Sequence, residues 1–270
     1  MTLSLSRRTP SLLFACFLLW MIPHLSLGQS LQACVYPEAP LAIDHVVLAV
    51  NDLDQASSTF LNLGFTLKKG RPHANGIINQ HAKFRDATEI ELLSLEKEPS
   101  DEITKGYATF LQRGEGGAFL ALVGSLESIG TKAEEVGAQP KIIQSQQSTY
   151  LTFQNPTWAH VFVIEKPSTV IDPDSLLNHT NGTNGINAVW LDASKGFEDV
   201  VLGLGAKKCG LFEVPGDRFG MAYGVSNGVL ILLNTNENHP RVQGVSLKRV
   251  QKGASRIVFP DDAHGIWLNW

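Results

Sequence analysis

One plan recurs three times along this chain of 270 residues, and it limits the fold more tightly than any single motif does. Each copy opens with an apolar strand-like run, passes through a helix and reaches a glycine. The copies run from Ile43 to Gly64, from Gly116 to Gly137 and from Ile186 to Gly205, spans of 21, 21 and 19 residues. Glycine at that place suits the left-handed conformation that stops a helix. In the first copy Asn51-Asp52-Leu53-Asp54 supplies an N-cap cluster ahead of the helix. Further apolar strands follow each glycine: Gly76 to Phe84 and Thr88 to Leu95, then Thr149 to Phe153 and His160 to Ile164, then Arg218 to Val225 and Gly228 to Leu233. Each unit therefore reads β-α-β-β-β. Residues 242–270 add strands at Val245 to Val250, Arg256 to Phe259 and Gly265 to Trp270, like a fourth unit without its helix. The stretches Glu96 to Arg113 and Pro167 to Asn184 read as linkers. One unit cannot bury both faces of a four-stranded sheet, so neighbouring units are expected to pair into cleft-forming double modules.

The composition, 43% apolar and 18% charged, is that of a globular protein. A net charge of −4 without a basic cluster lacks the electrostatic footprint of a nucleic-acid binder. The apolar run Leu12 to Ile22 falls well short of the roughly 20 residues that cross a bilayer, so stable membrane insertion is not expected. Arg7 and Arg8 precede that run, and Pro23 to Gly28 follow it with a helix break and small residues, the order of a secretory signal. A buried first helix would instead carry a polar face. Removal of residues 1–28 leaves a chain that begins at Gln29, with secretion to an extracellular or periplasmic space as the expectation.

Cys34 and Cys209 then remain, too few for a disulfide framework and enough for one bridge. Leu31-Gln32-Ala33-Cys34 resembles a lipoprotein box but stands about a dozen residues beyond the apolar run, farther than such signals place it. Asn178-His179-Thr180 and Asn181-Gly182-Thr183 have the form of glycosylation acceptors and mark a surface turn.

The first unit resembles the vicinal oxygen chelate superfamily, and within it the glyoxalase-like domain proteins. The resemblance is carried by Ile43-Asp44-His45-Val46-Val47-Leu48-Ala49-Val50-Asn51-Asp52-Leu53, by Leu63-Gly64-Phe65, by Gly70-Arg71-Pro72-His73 with Gly76 and Asn79, and by Glu89-Ile90-Glu91-Leu92-Leu93. His179-Thr180-Asn181 and Ala263-His264-Gly265-Ile266-Trp267-Leu268 resemble longer members of that group. The resemblance implies an α+β fold of paired βαβββ modules, with a glyoxalase-like double module over 41–166 and a third module plus a truncated fourth over 185–270. It also implies a divalent metal in the cleft, held by a His or Gln of a module's first strand and a Glu of its last. His45 and Glu91 match those positions.

Strand alternation places Ile43, His45 and Val47 on one face and Val46 and Leu48 on the helix side. An imidazole and a carboxylate opposed in an apolar cleft favour a cation, because an unpaired buried carboxylate is costly. Nitrogen with oxygen ligands suits Zn, Fe, Mn or Ni, and two ligands do not choose among them. The same residue types also serve as a hydrogen-bonded core histidine and a solvent-facing strand glutamate. Ala118 and Ala188, where the second and third units would supply a ligand, cannot coordinate. His160 and Glu165 are the substitutes, and His160 also reads as a residue packed on Trp158. His73 and Asn79 are assigned to substrate binding at the cleft mouth, Glu91 to catalysis as well as metal binding, and His264 to a turn.

Two functions follow from these residues. One is metal-dependent lyase, isomerase or dioxygenase chemistry on a small molecule with vicinal oxygens, in which the cation stabilises an enediolate or oxyanion as charge develops. The other is capture of a small ligand by a non-catalytic cleft with a degenerate metal site. No GxSxG, HExxH, CxxC or dinucleotide-binding glycine loop is present. N-terminal sequencing of the exported protein is expected to begin near Gln29; soluble protein that retains Met1 would exclude the signal.

Overall fold

The computed structural model describes residues 31–144, 149–165, 172–193, 196–235, 240–250 and 255–270. The expected signal, residues 1–28, lies outside the described residues. After a short helix α1 (Leu31–Cys34), the first module comprises β1 (Ala42–Ala49), α2 (Leu53–Asn62), β2 (Lys68–Lys69), β3 (Ile77–Lys83) and β4 (Glu89–Leu95). A helix α3 (Glu102–Leu111) leads to the second: β5 (Gly116–Val123), α4 (Leu126–Glu135), β6 (Pro140–Gln144), β7 (Thr149–Phe153) and β8 (Val161–Ile164). Helix α5 (Asp174–Leu177) precedes the third: β9 (Thr183–Ala193), α6 (Phe197–Gly203), β10 (Lys207–Val214), β11 (Arg218–Gly224) and β12 (Val229–Asn234). The last part holds β13 (Val242–Arg249), β14 (Ile257–Val258) and β15 (Trp267–Asn269). The fold is α+β, built from βαβββ units.

In each module the first strand runs parallel to the last, β1 with β4, β5 with β8 and β9 with β12. Modules meet through antiparallel seams between first strands, β1 on β5 and β9 on β13. The two pairs join where Val242 of β13 lies opposite Gly117 of β5, giving one sheet of fifteen strands among the described residues. A side chain at Gly117 would overlap the Val242 carbonyl, so this close approach requires glycine.

Helices α2, α4 and α6 cover one face of the sheet. Asp52 caps α2 by accepting from the Gln55 N–H at 2.9 Å, and Gly64 and Gly137, with φ of 86° and 72°, end α2 and α4 in the left-handed conformation expected from the sequence. Val46 and Leu48 of β1 pack in the same cluster as Phe60 of α2, Ile129 of α4 and Val200 of α6. Each such side chain contributes about 1.5–3 kcal/mol by leaving water. Cys34 and Cys209 are joined in a disulfide, with Cα atoms 5.7 Å apart, which ties the segment before β1 to β10. That closes the open question of the two thiols.

The linker reading of Glu96 to Arg113 is corrected by α3. Asp101 and Thr104 form a capping box at its start, and Tyr107 and Phe110, one helical turn apart, pack on Val47, Ala49 and Leu93. The capping signal lies in a run polar enough to mask the amphipathic spacing.

His160 lies just before β8 with 3% of its surface exposed, its ring 5.4 Å from that of Phe197 in α6. Burial pushes its pKa down to about 4, against a weaker opposing bond from the Asp192 backbone. The ring is therefore neutral in the folded protein at pH 7 and takes a proton near pH 6.5 once unfolded. Stability from this group is complete above pH 6.5 and falls as the pH drops toward 4, by about 3 kcal/mol. Urea unfolding of the wild type and of His160→Gln is expected to converge by that amount between pH 7 and pH 4. A constant difference would refute the assignment.

Candidate metal centre

The face of the first paired module opposite α2, α4 and α6 carries α3 over part of its area, and three strands bring polar side chains to it. A register shift between Ile43 and His45 marks a β-bulge at Asp44. It turns Ile43 into the helix-side cluster with Val46 and Leu48, which corrects the expectation that Ile43 shares a face with His45. It also aims Asp44 beside its neighbour: the His45 Nδ1 and an Asp44 oxygen lie 2.7 Å apart. Alternation predicts opposite faces for these two residues, and only the bulge joins them.

Directly across from His45 on β4 stands Glu89, with Glu91 two residues on and on the same face. His45 Nε2 and Glu91 Oε2 face each other at 3.5 Å, while His45 Nδ1 lies 4.0 Å from Glu89 Oε1. Asn79 of β3 donates to the other Glu91 oxygen at 2.6 Å. His81 Nδ1 lies 3.7 Å from Glu89, whose second oxygen pairs with Lys83. Asp44, His45 and Glu89 each offer a ligand atom, all within 4.8 Å of one another, a grouping able to hold a metal ion.

Burial alone would lower the His45 pKa, yet the bond to Asp44 and the charges of Glu91 and Glu89 outweigh it and hold the ring above its ordinary value. For Glu89, burial would raise the pKa, but His81, His45 and Lys83 together hold the carboxyl well below the usual carboxylate range. The Tyr107 hydroxyl, carried by α3 onto the same face with its ring 5.0 Å from that of Phe119, is pushed well above its ordinary value by burial first and by the Glu91 charge second.

The second module contributes a wall of a different kind. Ala121 lies opposite His45 across the seam and Phe162 beside Ala121. The Phe162 ring meets His45 edge-on at 5.8 Å, Tyr150 at 5.7 Å and Phe119 at 6.3 Å. Phe119, Tyr150 and Phe162 are only partly buried. A polar wall thus faces an aromatic one.

The structure brings His45, Glu91 and Asn79 together. Asn79, expected to contact substrate, spends its amide N–H on Glu91, and a side chain at Gly70 would overlap its Oδ1. His73 stays in the turn before β3, its backbone N–H on the Ile77 carbonyl. His160 is packed on Phe197 and is not among the grouped ligand atoms. Glu165 instead accepts from the Leu126 N–H at the start of α4. His264 sits in a turn at φ 51° with Nδ1 2.6 Å from Glu115. His179 is buried between Phe65 and Phe84, accepting from the Thr66 N–H and donating to the Lys83 carbonyl. Sequence reasoning missed Asp44, Glu89, His81 and Lys83. The signal for three of them was present: Asn79, His81 and Lys83 alternate along β3 as Glu89 and Glu91 do along β4.

Comparisons with known proteins agree with this architecture. A hypothetical protein from Staphylococcus aureus superposes over 85% of this chain and 98% of its own, with a TM-score of 0.60 and 14% identity. A xylose isomerase-like TIM barrel/4-hydroxyphenylpyruvate dioxygenase fusion protein superposes over 76% of this chain and 36% of its own, with a TM-score of 0.52 and 12% identity. At such identities the likeness concerns the fold alone. No curated protein matches the chain in sequence. The glyoxalase-like domain matches residues 43–195, more than half of the chain. This chain is a member of the glyoxalase-like domain family, within the vicinal oxygen chelate superfamily.

Proposed function

We propose that this protein is an exported, divalent-metal-dependent enzyme of the lyase, isomerase or dioxygenase class, acting on a small molecule with two neighbouring oxygens. The observation that carries the reading is the pair His45 Nε2 and Glu91 Oε2, facing each other at 3.5 Å, too long for a good hydrogen bond. Each is fixed from behind: Asp44 lies on the other ring nitrogen, and Asn79 donates to the other carboxylate oxygen. Two donors held apart and braced in this way fit a cation, and a carboxylate behind a liganding histidine is the usual brace of such a site.

The Glu89 side is less suited, because Lys83 already pairs with that carboxylate and Asp44 lies on the ring nitrogen that faces it. His45 and Glu91 would therefore hold the ion, with Asp44 orienting the ring. A bound divalent cation, Zn, Fe, Mn or Ni, supplies Lewis acidity toward the two oxygens of the substrate. Ala121 and Phe162, opposite His45, carry no donor that would close the site. Phe119, Phe162 and Tyr150 would receive the apolar body of the substrate, and Glu91 is the carboxylate placed to move a proton. Arg7 and Arg8 ahead of the apolar run support export, as does a disulfide, which persists in oxidising compartments.

Metal analysis of the purified protein tests this. The wild type is expected to bind Zn, Mn, Fe or Ni stoichiometrically, and His45→Ala and Glu91→Ala each to reduce bound metal to background. Asp44→Asn is expected to weaken metal binding by about 10–100-fold, and Glu89→Ala to retain most of it. Loss in Glu89→Ala with retention in Glu91→Ala would overturn the ligand assignment. A wild type that binds none of the four ions would replace the enzyme reading with capture of a small ligand against the aromatic wall.

A further inference from the structure

The second pair of modules repeats the first strand by strand. β9 pairs with β12 and β13 as β1 pairs with β4 and β5, so positions correspond through the registers. His45 opposite Glu89 becomes Ala188 opposite Val229, and Glu91, two residues on, becomes Ile231. Opposite those residues on the next strand, His81 becomes Ala222 and Lys83 becomes Gly224. These five positions are exchanged for apolar residues or glycine, while the Asp44 place, again at a register shift, holds Asn187. The result is a second sheet face of the same build with an apolar lining.

That face is filled from within the chain. Trp190 lies over it, its indole N–H donating to Ser246 at 3.1 Å, where Gly244 leaves room for the ring. The N-terminal segment covers the rest: Cys34 packs with Ala188, Trp190, Ala222, Val229 and Ile231, flanked by Leu31 and Val35. A side chain at Gly224, the Lys83 position, would overlap the Cys34 carbonyl. The segment therefore lies where the polar wall of the first cleft stands, as a ligand would.

Its non-covalent contacts are local, made by a few residues around Cys34. Helix α1 has four residues, too few to persist alone. Leu31 is only partly buried, and Tyr36 adds one backbone bond to Val225. Lys207 lies over the Tyr36 ring, and the bridge to Cys209 is the covalent tie. Cys209 is partly exposed on β10, which ends the strand order, whereas Cys34 is 6% exposed, so an incoming thiolate reaches the Cys209 sulfur first.

We propose that residues 31–36 form a thiol-sensitive strap, which occupies the apolar second cleft and is released when the Cys34–Cys209 bridge is reduced by a dithiol. One thiolate of the dithiol bonds to the Cys209 sulfur as the S–S bond breaks, and Cys34 leaves as a thiol after protonation. The second thiol of the reductant then displaces Cys209. Two electrons and two protons pass to the protein, and the dithiol becomes a disulfide.

The test compares the full exported chain, oxidised and treated with dithiothreitol, by hydrogen exchange and by fluorescence of the apolar dye Nile red. Reduction is expected to raise dye fluorescence several-fold and to speed exchange at residues 188–190 and 229–233, with residues 45–47 and 89–93 unchanged. A Cys34→Ser/Cys209→Ser variant is expected to match the reduced wild type without reductant; should it fail to fold, reduction of the folded wild type decides alone. Unchanged dye fluorescence and exchange after reduction would overturn the proposal. So would faster exchange in both pairs, since the bridge would then be a staple of the whole fold.

Discussion

Two antiparallel seams, β1 on β5 and β9 on β13, govern the arrangement of everything else in this protein. A four-stranded sheet with a helix on one face leaves the other face open. Joining first strand to first strand sets two such open faces side by side as one continuous surface. Because the first strand lies parallel to the last within each module, residues of both strands meet at the centre of that surface. The position of His45 beside Glu89 and Glu91 is thus a property of the topology, which any pair of residues at those places would inherit.

The two clefts show how far one scaffold separates fold from chemistry. In the first, a histidine and carboxylates are braced by an amide, a second carboxylate and an ammonium group. In the second, the places of the histidine, the β4 carboxylates and the ammonium group hold alanine, valine, isoleucine and glycine, and that of Asp44 holds Asn187. Polar groups at these depths need partners, and the first cleft supplies them from neighbouring strands. An apolar lining needs no polar partners but must be kept from water, and Trp190 with the N-terminal segment does that. Helix α3 plays a similar part on the polar face of the first pair, where Tyr107 and Phe110 cover Val47 and Leu93.

Much of the fold was legible in the sequence because it is locally encoded. The three spans that end at Gly64, Gly137 and Gly205 gave the modules and their order, since a helix stop, a cap and an apolar strand each depend on a few adjacent residues. His45 and Glu91 could be singled out for the same reason, each standing in a recognisable run. The charged alternation of β3 and β4 was equally local and marks a polar face, but nothing local says which strand lies beside β1.

What the sequence determined by itself is the βαβββ repeat, the pairing of modules and the two residues at the centre of the first cleft. Tertiary structure alone decided which groups surround them. The bulge at Asp44 arises from the register between β1 and β5, and it turns against simple alternation a carboxylate that now lies on the His45 ring. Lys83 reaches Glu89 because β3 lies antiparallel to β4. His160 turned to Phe197 because the third module packs against the start of β8. Cys34 met Cys209 across 175 residues because the second cleft had space for the segment that carries it. Registers, bulges and closures over such separations depend on contacts between distant strands, and no window of adjacent residues contains them.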